Sequence, residues 1–585
     1  MFLSASGFTQ HLNPLHSVFG STLAALIPIV LLLVLLAVAR MTAWLAVTVG
    51  AVITVIMAIT IWHSPGGPTI GAWGIGAGTG IWVIDWITFW GVVIYNTLLE
   101  TGAFADFRRW LVARATADVR VQTILLAWSL GALLEGIVGF GYPWAVIAPI
   151  LVGLGVVELD ALRVAAIANN APVSYGALGA PILALAAVTG VPLLTLSASV
   201  GRIVAVLALL PPWILILLVS GWKGVRGAWP LAVVGSLSYI LGQFPTSQWL
   251  GPYLPDIIGA LVSFGALLLL LKFWQPKETL GYGGVPIAQV ATGGAGVPPG
   301  AGVPGGGAAG TAPSTVGAGS GARGGPATDG APAGGAATAE AARPGVREAV
   351  HGFTAFGILI VVVVAATGPW SHLGDYTFVK PAVTAVSSLN HQPVSVEWKF
   401  APAVGGTWIL LSWLLILIAL RARGPQIVVA VRRSFSQMWG ALLVAPIIFG
   451  LAQVFNYSGM ASTLAYGFSR VGTWFILLAP ILGWIGVALS GSNTSTNALF
   501  GGFQYSVGTL LHMPLLLLPS LNSTGAETGK PVAPQTTSVG VSTGSYVRRE
   551  GLVIRHNMGW TLVILAWLIL IGLFFWHVFP SAMRL

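Results

Sequence analysis

Trp128-Ser-Leu-Gly-Ala-Leu-Leu-Glu-Gly-Ile-Val-Gly-Phe-Gly-Tyr-Pro143 is the stretch that decides how this chain folds. It is apolar enough to lie within a membrane, yet it carries an acid, Glu135, at its centre. A carboxylate at membrane depth costs about 2.5–3.5 kcal/mol on insertion scales, so such a residue marks an ion or substrate pathway. Gly136, Gly139, Gly141 and Pro143 follow at once and break the helix. Broken backbone at that depth is tolerated only against protein or a watery cavity. The alternative role for Glu135 is a neutral acid that merely hydrogen-bonds the break.

The rest of the chain supplies the membrane. Of its 585 residues 56% are hydrophobic and 7% charged, where soluble domains carry about 25% charged residues; mean hydropathy is +0.87. Apolar runs recur at Ala24–Ala39, Trp44–Ile61, Ile81–Leu98, Ile203–Val219, Ile257–Leu271, Phe353–Thr367, Thr407–Ala419 and Thr561–Val578. With the glycine-broken segments added, the expectation is an all-α polytopic membrane protein of roughly 12–14 spans and half-spans.

A net charge of +10 reflects cytoplasmic loops, not nucleic acid. Basic residues gather at Arg108–Arg120, Lys223–Arg226, Lys272–Lys277, Arg421–Arg433 and Arg548–Arg555, and the positive-inside rule turns these inward. His63–Ile70 and Gln243–Pro255 then read as outward loops, with both termini external. The absence of cysteine excludes disulfides, thiol catalysis and Cys-ligated metal. No His spacing suits zinc, no nucleophile elbow is present, and no cofactor or metal is expected. Gly74–Gly80 looks like a nucleotide loop but lacks a preceding strand and a phosphate-loop lysine, so it reads as a glycine-rich membrane segment.

Three parts are expected. Residues 1–280 form a first membrane half, 281–347 a Gly/Ala/Pro-rich cytoplasmic linker, and 348–585 a second half. Large apolar side chains are nearly absent from the linker, so it cannot bury enough area to order itself. Each half carries two interruptions: Glu135–Pro143 and Asn169–Pro181 in the first, Ser490–Phe500 and Asn522–Gln535 in the second. Paired interruptions point to two inverted repeats with re-entrant hairpins and a midplane site.

Several residues could serve that site. Ser490, Ser492, Asn493, Thr494, Ser495, Thr496 and Asn497 offer hydroxyls and amides at a half-helix start, which suits a carboxylate; the alternative is a polar packing face. Lys530 lies inside the fourth interruption and is a cationic candidate or a loop lysine. Arg202 could pair with a substrate carboxylate or snorkel to headgroups. Asp85 could titrate within its span or sit at the interface beside Trp82 and Trp86. Glu158, Asp160 and Arg163 read as a solvated loop.

These motifs resemble the lactate permease family. The likeness rests on Leu134–Pro143, Asn170–Pro181, Gly251–Ile258, Trp274-Gln-Pro276, Asn456-Tyr-Ser-Gly459, Gly491–Phe500 and Thr528–Gln535, in order from about Leu23 to Phe579. It implies a proton-coupled importer of L-lactate, with glycolate and other 2-hydroxy monocarboxylates as further substrates, in the cell inner membrane. By that resemblance Glu135 serves proton coupling, with Asp85 added from its position in a span as the second titratable candidate. Asn170, Ser492, Asn493, Thr494, Asn497, Thr528 and Lys530 serve the substrate, with Arg202 added from its position. Two departures matter: the family's Gly-Ser-Asp-Thr-Ser carries Asn493 at the Asp position here, and the long Gly/Ala linker is an insertion that costs the fold little extra entropy. Ser492-Asn493-Thr494 is similar to the tip of sodium/dicarboxylate symporters, which keeps sodium as the alternative coupling ion. A passive facilitator is the other transport reading, and a membrane transferase lacks a titratable triad.

Overall fold

A computed structural model describes residues 7–287 and 346–585, apart from 38, 40, 113–115, 379, 380, 390–392, 399 and 543. Most of the linker expected over 281–347 therefore lies outside the described residues.

The first half runs α1 (Val18–Ala37), α2 (Ala43–Thr60), α3 (Gly66–Thr79), α4 (Trp86–Thr101), α5 (Ala103–Val112), α6 (Val119–Gln122), α7 (Gly131–Ile137), α8 (Tyr142–Gly153), α9 (Glu158–Ala168), α10 (Gly176–Thr189), α11 (Leu193–Leu207), α12 (Pro211–Trp249) and α13 (Pro255–Phe273). The second runs α14 (Val346–Thr367), a hairpin of β1 (Ala382–Val386) and β2 (Pro393–Glu397), then α15 (Gly405–Ala419), α16 (Gly424–Ser458), α17 (Met460–Ser469), α18 (Phe475–Ser490), α19 (Asn493–Leu510), α20 (Leu517–Gly529), α21 (Pro534–Val541) and α22 (Glu550–His577). Among the described residues, 9 helices are long and apolar enough to cross a membrane. The number is 10 if the pair Glu158–Ala168 and Val173–Thr189, bent by 66°, is one span.

The two halves share an order of parts. A long helix ends at a left-handed glycine, Gly102 (φ 81°) after α4 and Gly459 (φ 92°) after α16. A helix of 10 residues follows in each, α5 and α17. Next come two helices joined at a tight tip, α7–α8 and α18–α19, and then a broken helix, α9–α10 and α20–α21.

Small residues set the packing. Gly80 lies on α16, where a Cβ would stand 2.7 Å from the Ala445 carbonyl oxygen, and Gly76 on the same face meets the Phe449 backbone. The Gly74–Gly80 run is thus helical and packs as a glycine-rich membrane face.

Three sequence expectations change. Glu158, Asp160 and Arg163 form the first turns of α9 instead of a loop, and Asp160 accepts from His556 Nε2 at 2.8 Å. Gln243–Trp249 is the end of α12 rather than an outward loop, with Gln243 and Ser247 buried. Among the described residues the fold is helical except for the antiparallel hairpin, in which Thr384 pairs with Ser395. Thr9, near the start of the described chain, bridges to Val386.

Candidate functional site

Glu135 sits on the last turn of α7 and is 1% exposed. Its Oε1 is ion-paired with Lys530 Nζ, and its Oε2 accepts a hydrogen bond from Asn169 Nδ2 at 3.0 Å. Asn169 caps the C-terminus of α9, and Lys530 caps that of α20, where the helix dipole favours a cation. One acid therefore draws together the first tip helix and both broken helices. Gly176 passes so near that a Cβ would lie 2.6 Å from Glu135 Oε1. Only glycine leaves room for the pair.

Two further acids surround it. Glu527, one turn before Lys530 and fully buried, accepts from the Ser174 backbone N–H at 2.7 Å. Asp256, in the first turn of α13, accepts from the Tyr239 hydroxyl at 2.8 Å and is 1% exposed. Glu527 Oε2 and Asp256 Oδ2 have no hydrogen-bond partner. Asp256 packs on the residue next to Glu135: a Cβ on Gly136 would stand 2.9 Å from Asp256 Cβ.

A neutral network lies beside this charge centre. Asn497 Nδ2 donates to the Pro181 carbonyl at 2.9 Å and to Ser523 Oγ at 3.0 Å, while its Oδ1 accepts from Asn522 Nδ2 at 2.9 Å. Gln504 donates to Asn522 Oδ1 at 3.0 Å, and Ser174 and Ser523 hydroxyls meet at 3.0 Å. Asn493 Nδ2 donates to the Ser523 carbonyl at 3.1 Å, leaving Asn493 Oδ1 unpartnered. These bonds lock α19 and α20 to the turn before α10. Asn497 is saturated by them.

The α18–α19 tip opens on a cavity of about 70 Å³. Ser490, Ser492, Thr494 and Ser495 line one wall, Asp85 and Thr88 another, with Phe140 of the first tip and Gln535 nearby. A buried water needs about 10–15 Å³ by this measure, so the space suits a molecule of roughly five to seven heavy atoms. Ser492 caps α19, its Oγ accepting from Ser495 N at 3.2 Å, so the start of that helix lies at the cavity wall. Asp85 ends a π-helical turn, Gly80–Asp85, a distortion often found at functional sites.

The expected residues thus do not gather in one place, and Asn493 and Asn497 belong to the neutral network. Glu135, Lys530 and the neighbouring Asn169 form the charge centre; Ser492, Thr494 and Asp85 line the cavity. Asn170 is fully buried with both amide atoms unpartnered, and Thr528 donates to the Gly525 carbonyl in its own helix at 2.9 Å. Arg202 stands apart from both, bonded to Gln248 Oε1 at 3.2 Å and to the Ala582 carbonyl. Sequence reasoning missed Asp256 and Glu527. The signal was the one that singled out Glu135, an acid among membrane-buried elements.

Apolar spans wrapped round an ion pair at paired helix breaks define a multi-pass membrane protein built as transporters are. The chain belongs to the L-lactate permease family, whose pattern matches residues 21–290 and 362–579. It is 34% identical over 558 residues to the glycolate permease GlcA of Escherichia coli (strain K12), covering 95% of this chain and 96% of that one. To the L-lactate permease of Bacillus subtilis (strain 168) it is 31% identical over 581 residues, covering 98% and 99%. The solved YdaH transporter of Alcanivorax borkumensis gives a TM-score of 0.43 at 12% identity over 87% of each chain, a likeness too slight to define a shared fold.

Proposed function

We propose that this protein imports L-lactate and related 2-hydroxy monocarboxylates such as glycolate across the cell inner membrane, each with a proton. The observation that carries the reading is the Glu135–Lys530 pair, set where the helix breaks of both halves meet. Relatives named as L-lactate and glycolate permeases over nearly the whole chain support the substrate class.

The mechanism follows from charge. Lys530 is neutralised by Glu135, and a second anion beside that pair would leave an uncompensated buried charge. When Glu135 takes a proton, the ammonium is freed for the carboxylate of the substrate. Anion and proton then enter together, and the centre stays neutral. The carboxylate docks on Ser492, Thr494 and the start of α19, and Asp85 across the cavity is a second proton-coupling group. Gln535, which lines the cavity, lies at the start of the helix that follows Lys530 across the extended break at Ala533. The shared order of parts in the two halves supports two inverted repeats, one unit moving against the other to alternate access.

A second reading is sodium coupling, favoured by the unpartnered Asn493 Oδ1 within Ser492-Asn493-Thr494. Uptake of labelled L-lactate and glycolate into proteoliposomes decides between them. Accumulation driven by an inward proton gradient, and lost in Glu135→Gln, is the expected result. Accumulation that needs sodium would move the coupling site to Asn493, and gradient-insensitive equilibration would make the protein a passive facilitator.

A further inference from the structure

Asp256 has no place in the mechanism so far, yet its position is unusual. It is an acid buried in the first turn of α13, packed on Gly136 beside Glu135. It stands within electrostatic reach of Glu135, Glu527 and Lys530 of the charge centre. A count of the cluster shows three carboxyls, Glu135, Asp256 and Glu527, against one lysine. Were all ionised, the centre would carry two uncompensated negative charges in a buried site, at several kcal/mol each. The cluster therefore holds protons of its own.

One face of α12 leads away from it. Tyr239, Gln243 and Ser247 are spaced four residues apart and so share that face. All three are buried. Tyr239 donates to Asp256 Oδ1, Gln243 has neither amide atom partnered, and the Ser247 carbonyl accepts from Ser197 Oγ at 3.0 Å. Tyr175 donates to the Ser197 carbonyl at 2.5 Å, and Gln248 joins the strip to Arg202. Buried polar groups are normally bonded, and an unpartnered amide on a fully buried glutamine asks for a reason. The strip ends near Trp249, at the end of α12 away from Lys223 and Arg226, which the positive-inside rule makes the external end.

We propose that Asp256 is the last relay of the coupling proton, which reaches Glu135 from outside along the Tyr239–Gln243–Ser247 face of α12. The inference rests on the proton-symport reading. Asp256 acts as a relay: it passes the proton on its free Oδ2 to Glu135 as Tyr239 gives its hydroxyl proton to Oδ1 and takes up the incoming one, so neither group is left with a net change of charge. The groups facing it are Tyr239 from α12, Glu135 from α7, and Glu527 and Lys530 from the second broken helix.

The test separates net proton movement from substrate exchange. Purified protein is reconstituted, and two rates are measured: accumulation of labelled L-lactate under an inward proton gradient, and exchange of labelled for unlabelled L-lactate at equal pH. Exchange needs no net proton entry. Asp256→Asn is expected to cut gradient-driven accumulation at least tenfold and to leave exchange within about twofold. Gln243→Leu, which removes the unpartnered amide, is expected to do the same more weakly. Unchanged accumulation in Asp256→Asn would overturn the relay while leaving symport intact, and equal loss of both rates would overturn it in favour of a binding role. If Asp256→Asn does not fold, Gln243→Leu decides by the same criteria. Wild-type protein that ignores the proton gradient would sink the symport reading itself, a result distinct from either.

Discussion

The two hairpin tips are built from opposite materials. Val138–Gly141 is apolar and turns through three consecutive left-handed residues, Gly139 (φ 67°), Phe140 (φ 55°) and Gly141 (φ 83°). Ser490–Thr494 is polar and needs only Gly491 (φ 71°) before Ser492 caps the next helix. A non-glycine residue in the left-handed region costs of order 1–3 kcal/mol and persists where its surroundings over-determine it. The first tip accepts that cost at Phe140, whose side chain borders the cavity. It also carries Glu135 on the helix leading into it. The second presents the hydroxyls of Ser490, Ser492, Thr494 and Ser495 to the cavity wall. One tip holds charge and shape, and the other holds the surface a carboxylate would meet.

The largest effect should come from the charge held beside the first tip. Lys530→Ala strands the Glu135 carboxylate, and losing one partner of a buried pair costs about 3–5 kcal/mol. Thermal melting in detergent should show a large drop. Adding Glu135→Gln to Lys530→Ala should recover most of it; a double variant no more stable than the single one would mean that the two side chains are not coupled. Gly176→Ala comes next. Its new methyl would strike Glu135 Oε1, and overpacking of about 1–3 kcal/mol should lower lactate uptake on the order of tenfold.

A smaller pair of changes sharpens the contrast between tips. Ser492→Ala removes a helix cap worth about 1 kcal/mol together with a donor to the cavity. Its half-saturation for lactate should rise severalfold. Gly139→Ala, in the left-handed region with Ala177 Cβ 3.1 Å from the added carbon, should instead lower the melting temperature and leave half-saturation near wild type. Equal effects on half-saturation would erase the division of labour.

The smallest effect lies at the junction of α5 with the first turns of α14. Desolvation pushes the Asp106 carboxyl up, but hydrogen bonds from His351 and Arg109 outweigh it and hold the group below the usual carboxylate range. A depressed carboxyl stabilises above its unfolded value and loses that contribution as pH falls through its folded value. Asp106→Asn should therefore shift melting slightly at neutral pH, by less than about 1 kcal/mol for so exposed a cluster. The difference from wild type should vanish in strong acid.

How much of this was legible depended on contrast. Glu135 was readable because nothing polar surrounds it, and Ser490–Asn497 because a polar run stands out within apolar sequence. Glu527 lies among Asn522, Ser523, Thr524 and Thr528, where the same acid reads as part of a loop; in the fold that run is α20, buried along its length. Asp256 follows Pro255 and looks like an ordinary first-turn acid at a helix start. Only the packing of α13 on Gly136 puts it beside the pair. Asn497 looked free to bind, but its amide is taken up by Pro181, Ser523 and Asn522, partners far apart in sequence. The strands Ala382–Val386 and Pro393–Glu397 are five residues each, too short for their alternation to register against so apolar a chain.

The most direct test of the account is the affinity for L-lactate measured by calorimetry between pH 5.5 and about 8, in wild type and in Glu135→Gln. If binding the anion requires a proton on Glu135, wild-type affinity should fall by up to about tenfold per pH unit as the solution turns basic. Glu135→Gln, whose lysine is permanently released, should bind with no such slope. A variant that keeps the wild-type slope would place the coupling proton elsewhere and contradict the role given to the Glu135–Lys530 pair.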